Sequence, residues 1–390
     1  RRRPLPAARD GRRQESPDTT ACVKIAHMDA VKDFGELGAR IRQVRLGTGL
    51  DQTGLAQRCR LERTALSRIE SGERKVSALE LARIAEVLQV TLSDLVLLPL
   101  ADVRAARPPV DEDSRPEERE SFRAGLDLDR AWRDLCQLRD DGLLEPVDLG
   151  VGGEGIGSPE QARALAREVR GFLDVGDDPL GAMADVAAEL GLWCRTTAAR
   201  IDGLSLTPQP GLGVAVIGEA LEPGRRRATA AHEIGHHVAG DAYEASGHYA
   251  APREAKGRID AFAAELLLPR AVVERLHNPS RDELIAMAAN YRVSWSLLTA
   301  TAEQAGVDLK RADVYLNPVD DDFYRVVGAR PEEDLRAPGL PRAWIMACAR
   351  ARDEQRVTPR RASELTLGVL SGGAPDDATA AHPMADPPQG

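Results

Sequence analysis

The residues best suited to chemistry lie in one run, Ala230-Ala231-His232-Glu233-Ile234-Gly235-His236-His237. On a helix, His232 and His236 stand one turn apart on the same face. Two imidazoles at that spacing can close on one Zn²⁺, and Glu233 between them can activate a water on the metal. Two histidines leave such a site one protein ligand short. A third ligand must come from elsewhere in the chain, and the neighbouring elements must bring it.

Those elements are legible as patterns. Leu192-Trp193-Cys194-Arg195, Gly203-Leu204-Ser205-Leu206 and Gly213-Val214-Ala215-Val216-Ile217-Gly218 read as short strands, the last two separated by the turn Pro208-Gln209-Pro210-Gly211. A small sheet therefore precedes the histidine helix. Ala230 and Ala231 permit close helix packing, and Gly235 is expected to leave space beside the metal. A second helix follows with the apolar run Phe262-Ala263-Ala264-Glu265-Leu266-Leu267-Leu268-Pro269. His237 falls on another face and reads as structural. Asp241, Tyr243, His248 and Tyr249 lie in the loop between the two helices and read as solvated. The run Gly150-Val151-Gly152-Gly153-Glu154-Gly155-Ile156-Gly157 lacks a Gly-Lys-Ser/Thr ending and follows no clear strand, so it is not a phosphate loop.

The chain of 390 residues allows two or three domains. A net charge of −10 argues against nucleic-acid binding over the whole surface and leaves room for one DNA-reading domain. The five cysteines are scattered without a CxxC pair, which reads as reduced thiols in a cytoplasmic protein. No apolar run is long enough for a membrane span. The basic start lacks the apolar segment of a signal peptide, and Met28 is a candidate start.

Residues 1–33 read as a disordered tail. Over 34–99 five short helices follow. Leu37, Ile41 and Val44 make a stripe; Asp51 caps a second helix; Arg63 to Glu70 form a third, ended by Gly72. Ser77 caps a fourth, and Thr91 starts a fifth. A tight turn between the second and third gives a helix-turn-helix. Ten Arg and Lys against eight Asp and Glu from Gly35 to Leu98 make this stretch slightly basic within an acidic chain. Residues 100–121, charged and Pro-containing without apolar period, read as a linker. A catalytic-type domain is expected over 122–275, a helical region over 276–371, and a disordered tail over 372–390. The fold class is mainly α with a small β-sheet, α+β.

Asp51-Gln52-x-x-Leu55-Ala56, Arg63-Thr64-x-Leu66-Ser67-Arg68-Ile69-Glu70-x-Gly72 and the following Lys75-Val76-Ser77-Ala78-Leu79-Glu80-Leu81-Ala82 resemble the phage-repressor (XRE) family. The resemblance implies that the third helix enters the major groove. Arg63, Thr64, Ser67 and Arg68 then read bases, Gln52 anchors to phosphate, and Arg45 pairs with Glu70 under the turn. It also implies a dimer on a double-stranded operator.

The strands, Thr229-x-Ala231-His232-Glu233-x-Gly235-His236 and Asp260-Ala261-Phe262-Ala263-Ala264-Glu265-Leu266 resemble the ImmA/IrrE family of zinc metallopeptidases, a gluzincin-like arrangement whose members often carry an XRE domain. The resemblance implies Zn²⁺ on His232 and His236, with Glu233 as general base. It implies a peptide substrate paired to the 213–218 strand. The family's third ligand, a Glu six residues before the Phe of this run, is replaced by Lys256, which cannot ligate zinc. Glu254 and Asp260 are the carboxylates that could serve instead; Asp260 fits the position that orients a ligand histidine. Two functions follow. One is a DNA-binding regulator fused to a zinc peptidase that cleaves a partner protein such as a repressor. The other is a non-catalytic regulator that keeps a degenerate peptidase fold for sensing or dimerisation. A third, antitoxin-like reading binds a protein partner directly.

Overall fold

Side-chain caps cut the N-terminal region into short helices. Asp33 accepts from Glu36 N and starts α1 (Phe34–Thr48); Asp51 accepts from Gly54 N and starts α2 (Gln52–Cys59). After α3 (Arg63–Glu70), capping boxes at Ser77/Glu80 and Thr91/Asp94 open α4 (Ala78–Leu88) and α5 (Leu92–Val96). Gly49 ends α1 at φ 75°, in the left-handed region. The structure is a computed structural model that describes residues 30–99, 110–150, 156–240, 253–309 and 316–371. Most of the two expected tails and much of the expected linker lie outside the described residues.

One long helix, α6 (Pro116–Asp140), joins the bundle to the rest. Pro116 sits in its first turn, and Glu118 accepts from Arg115 N. The stretch read as a linker over 100–121 is helical from Pro116 onward. The charged residues Glu117, Glu118 and Glu120 read as linker but form the opening turns of α6. Val110, Phe122 and Leu126 are buried with the N-terminal bundle, whereas Leu128, Trp132, Leu135 and Leu138 are buried against the sheet. A Cβ at Gly47 would overlap the Phe122 ring, so that glycine lets α6 approach α1. Asp94, with its side chain buried, accepts from Arg130 at 2.6 Å and Arg133 at 2.8 Å.

The elements that follow are α7 (Pro159–Phe172), α8 (Met183–Glu189), β1 (Leu192–Thr197), β2 (Gly203–Gln209), β3 (Leu212–Gly218) and α9 (Pro223–Ala239). Then come α10 (Arg253–Leu267), α11 (Arg270–Glu274), α12 (Arg281–Tyr291), α13 (Trp295–Gln304), α14 (Asp320–Val327), α15 (Arg342–Asp353) and α16 (Pro359–Leu365). The sheet order is β1-β3-β2. β1 runs parallel to β3 with Leu192 opposite Gly213, and β2 runs antiparallel with Leu204 opposite Val216. The strand expected to pair with a peptide, residues 213–218, is therefore the middle one. Neighbours on both sides use its backbone groups, and among the described residues β2 is an edge strand. The outer edge of β1 is engaged at Thr196 N, which donates to Pro338 O at 2.9 Å.

Both faces of β3 are buried, so two covers are required. Trp193, Val214 and Val216 pack with α6, α15 and α16; Cys194, Ala215 and Ile217 pack with α7, α9 and α10. The helices of the region read over 276–371 meet the same demand. Leu284, Ile285 and Leu298 complete one cover, and Trp344, Cys348 and Leu365 complete the other. Trp193 and Trp344 pack at a tilt of 53°, with ring centroids 5.9 Å apart. The chain is mainly helical around this small sheet. No described helix is long and apolar enough to cross a membrane.

Candidate metal centre and DNA-reading surface

The histidine run lies on α9, which begins with Pro223 in its first turn and ends at Gly240 with φ 73°. Ala230, Ala231 and Ile234 turn into the core against the sheet and α10. The expectation that Gly235 leaves space beside a metal is corrected: it faces α10. A Cβ there would lie 2.9 Å from Phe262 Cδ1 and 3.0 Å from Ile259 Cγ2. The glycine lets α10 approach α9, and that approach sets Asp260 beside His232.

Asp260 Oδ1 lies 2.9 Å from His232 Nδ1. An ionised carboxylate only accepts, so Nδ1 carries the proton and Nε2 presents its lone pair. His232 Nε2 and His236 Nε2 are 3.1 Å apart. Two ligands about 2.0–2.1 Å from one tetrahedral zinc stand roughly 3.3 Å apart, so the two nitrogens fit a shared ion. Asp260 lies on the Nδ1 side of the ring, away from the nitrogen that would ligate. Among the described residues no group of three His, Cys, Asp or Glu assembles a metal site. Glu254 and Lys256 fall on the opening turn of α10, but their side chains lie outside the described residues, as do Asp241, Tyr243, His248 and Tyr249.

Glu233 is 3% exposed and accepts from Ser205 Oγ at 2.5 Å. His237 is buried. Its Nε2 donates to Leu190 O at 2.9 Å, which leaves Nδ1 to accept from Thr207 Oγ1 at 2.8 Å. Burial pushes this imidazole down to about 4, against the opposing pull of the Leu190 carbonyl. His237 is thus a neutral clasp between α9, β2 and the end of α8. Ser205 and Thr207 were not singled out by sequence reasoning. The signal available was their spacing: residues two apart on a strand share a face.

In the N-terminal bundle, α3 divides cleanly. Leu66, Ile69 and Glu70 are buried, while Arg63, Thr64, Ser67 and Arg68 are exposed on one side. Arg68 comes within 3.8 Å of Glu73, both solvated. Arg45, fully buried, donates to Glu70 at 2.7 Å and to Leu50 O at 2.8 Å, tying α1 to α3 and to the start of α2. Gln52 Nε2 donates to Glu70 Oε2 at 2.8 Å, so this side chain braces the turn as well as standing at its surface.

Residues 36–98 match the family described as a helix-turn-helix domain, and residues 192–302 match the peptidase family described as an IrrE N-terminal-like domain. No curated protein and no solved structure matches the chain. The chain carries an XRE-type helix-turn-helix DNA-binding domain and, after it, an ImmA/IrrE-like peptidase-type domain.

Proposed function

We propose that this protein reads a double-stranded DNA operator through its N-terminal domain and hydrolyses a partner protein at a zinc site on α9 and α10. The observation that carries the reading is the 3.1 Å approach of His232 Nε2 to His236 Nε2, with a carboxylate behind His232. His232 and His236 would hold Zn²⁺. Asp260 would orient His232 rather than ligate, since its oxygen is committed to Nδ1. Glu254 is then the carboxylate we assign to the third position.

Zinc held there would supply Lewis acidity toward a water and a peptide carbonyl. Glu233 would accept the proton of the attacking water and return it to the leaving amine. A peptide substrate, a repressor for example, would add a strand beside the edge strand β2. On DNA, Arg63, Thr64, Ser67 and Arg68 would meet base edges, with Gln52 at the phosphate backbone. A module this small gains affinity by pairing, so the acting form would be a homodimer on two half-sites. The protein would act in the cytoplasm, at the nucleoid when bound to its operator.

A second reading, a non-catalytic regulator with a degenerate peptidase fold, is favoured by Lys256 at the position of the family's third ligand. Metal analysis separates the two. The purified chain should hold one zinc, Glu233→Gln should keep it, and His232→Ala should lose it. A wild-type chain that holds no zinc would sink the peptidase reading and leave the second.

A further inference from the structure

β2 and α9 meet in matched steps. Two residues along a strand advance about 6.6 Å, and four along a helix about 6 Å, so alternate residues of β2 can meet successive turns of α9. Gly203, Ser205 and Thr207 share the face that does so. Gly203 and Ser205 stand against Glu233, and Thr207 bonds His237 one turn further on. We propose that Ser205, with Gly203, is the positioning residue of Glu233. This rests on the zinc-peptidase reading of the same site.

The Ser205 hydroxyl holds Glu233 Oε2 at 2.5 Å in a place where both side chains are nearly sealed from solvent, 7% and 3% exposed. Bulk water therefore competes weakly for that bond. The other oxygen lies close against the same strand. A Cβ on Gly203 would stand 2.9 Å from Glu233 Oε1 and 2.7 Å from Thr229 Cγ2, so the carboxylate uses space that only glycine leaves. One strand thus holds Oε2 of the base and passes close against Oε1. That strand is also an edge of the sheet among the described residues, so a peptide that pairs with β2 is bound by the element that aims the base. A base that must receive a proton at one point gains from such restraint, because a freely turning carboxylate is misaimed most of the time.

Acetohydroxamate binding to the Co²⁺-loaded chain tests this without a peptide substrate. On binding a metal, a hydroxamic acid gives up its proton to an adjacent base, so affinity reports where Glu233 stands. The visible absorption of Co²⁺ reports loading and binding separately. Ser205→Thr and Ser205→Val have the same shape and differ by the hydroxyl. Threonine should bind within about twofold of wild type and valine about tenfold more weakly, the loss of one hydrogen bond to a charged group. Gly203→Ala should weaken binding comparably, Glu233→Gln should weaken it most, and Co²⁺ loading should stay equal throughout. Equal affinities for the threonine and valine variants would overturn the role of Ser205 and leave the zinc reading standing. A wild-type chain that takes up no Co²⁺ would overturn both.

Discussion

Replacing Gly235 by alanine opposes two effects whose sizes can be compared. The new methyl would stand 2.9 Å from Phe262 Cδ1 and 3.0 Å from Ile259 Cγ2. Phe262 and Ile259 are both buried, so neither can swing into solvent. Overpacking of this kind costs about 1–3 kcal/mol. Alanine in a helix interior returns about 1 kcal/mol relative to glycine. We expect Gly235→Ala to be destabilised by roughly 1 kcal/mol in urea unfolding of the metal-free chain. The larger effect falls on the metal. Ile259 precedes Asp260, so pushing α10 away from α9 lengthens the 2.9 Å contact with His232 Nδ1. Losing an orienting carboxylate lowers metal affinity about 10- to 100-fold, and a displaced one should fall at the lower end, about tenfold. A zinc titration against a chromophoric chelator measures it. If Gly235→Ala is stabilised by about 1 kcal/mol and binds zinc as wild type, only helix propensity has acted and the close approach of the two helices is wrong.

The same titration applied to Asp260→Ala should show the full loss, about 10- to 100-fold, with stability of the metal-free chain little changed because the carboxylate is half exposed. Arg63→Ala should cost about 1–3 kcal/mol on the cognate operator and far less on random duplex, measured by fluorescence anisotropy; equal losses on both would remove it from base reading. Asp94 offers a test by pH. Burial raises its carboxyl, but the guanidinium of Arg130 and the bonds from Thr91 outweigh that and hold it below the usual carboxylate range. Its stabilising contribution is complete above the unfolded value of about 3.9 and fades as pH falls through the lower folded value. Acid unfolding of Asp94→Asn should therefore lose less stability between pH 5 and 2 than wild type does; parallel curves would mean that the Arg130 pair adds nothing.

The N-terminal bundle was readable because each helix carries its own local signature: Asp51, Ser77 and Thr91 as caps, Gly49 and Gly72 at ends. The histidine helix was readable for the same reason, its spacing being a property of one element. What escaped depends on contacts between elements. Strand order could not be read, since the middle position of β3 follows from a parallel pairing with β1 that no local pattern announces. Gly235 was assigned to the metal because α10, the element it touches, is distant in sequence. Ser205 and Thr207 are ordinary strand residues until α9 is laid across them. Only the opening turns of α6 read as linker, because residues 117–121 carry charge and no apolar side chain before Phe122.

The division of α6 between two cores makes the junction between the two modules a matter of phase. Phe122 and Leu126 belong to one core, Leu128 and Trp132 to the next, with no unstructured residue between them. A flexible tether tolerates added length; a shared helix does not. Each residue inserted between Leu126 and Leu128 would turn one set of anchors about 100° from the other. Exchange of either module with a foreign one would have to preserve the count of residues in this helix, and a spliced chain that ignored it would fold one half at the expense of the other.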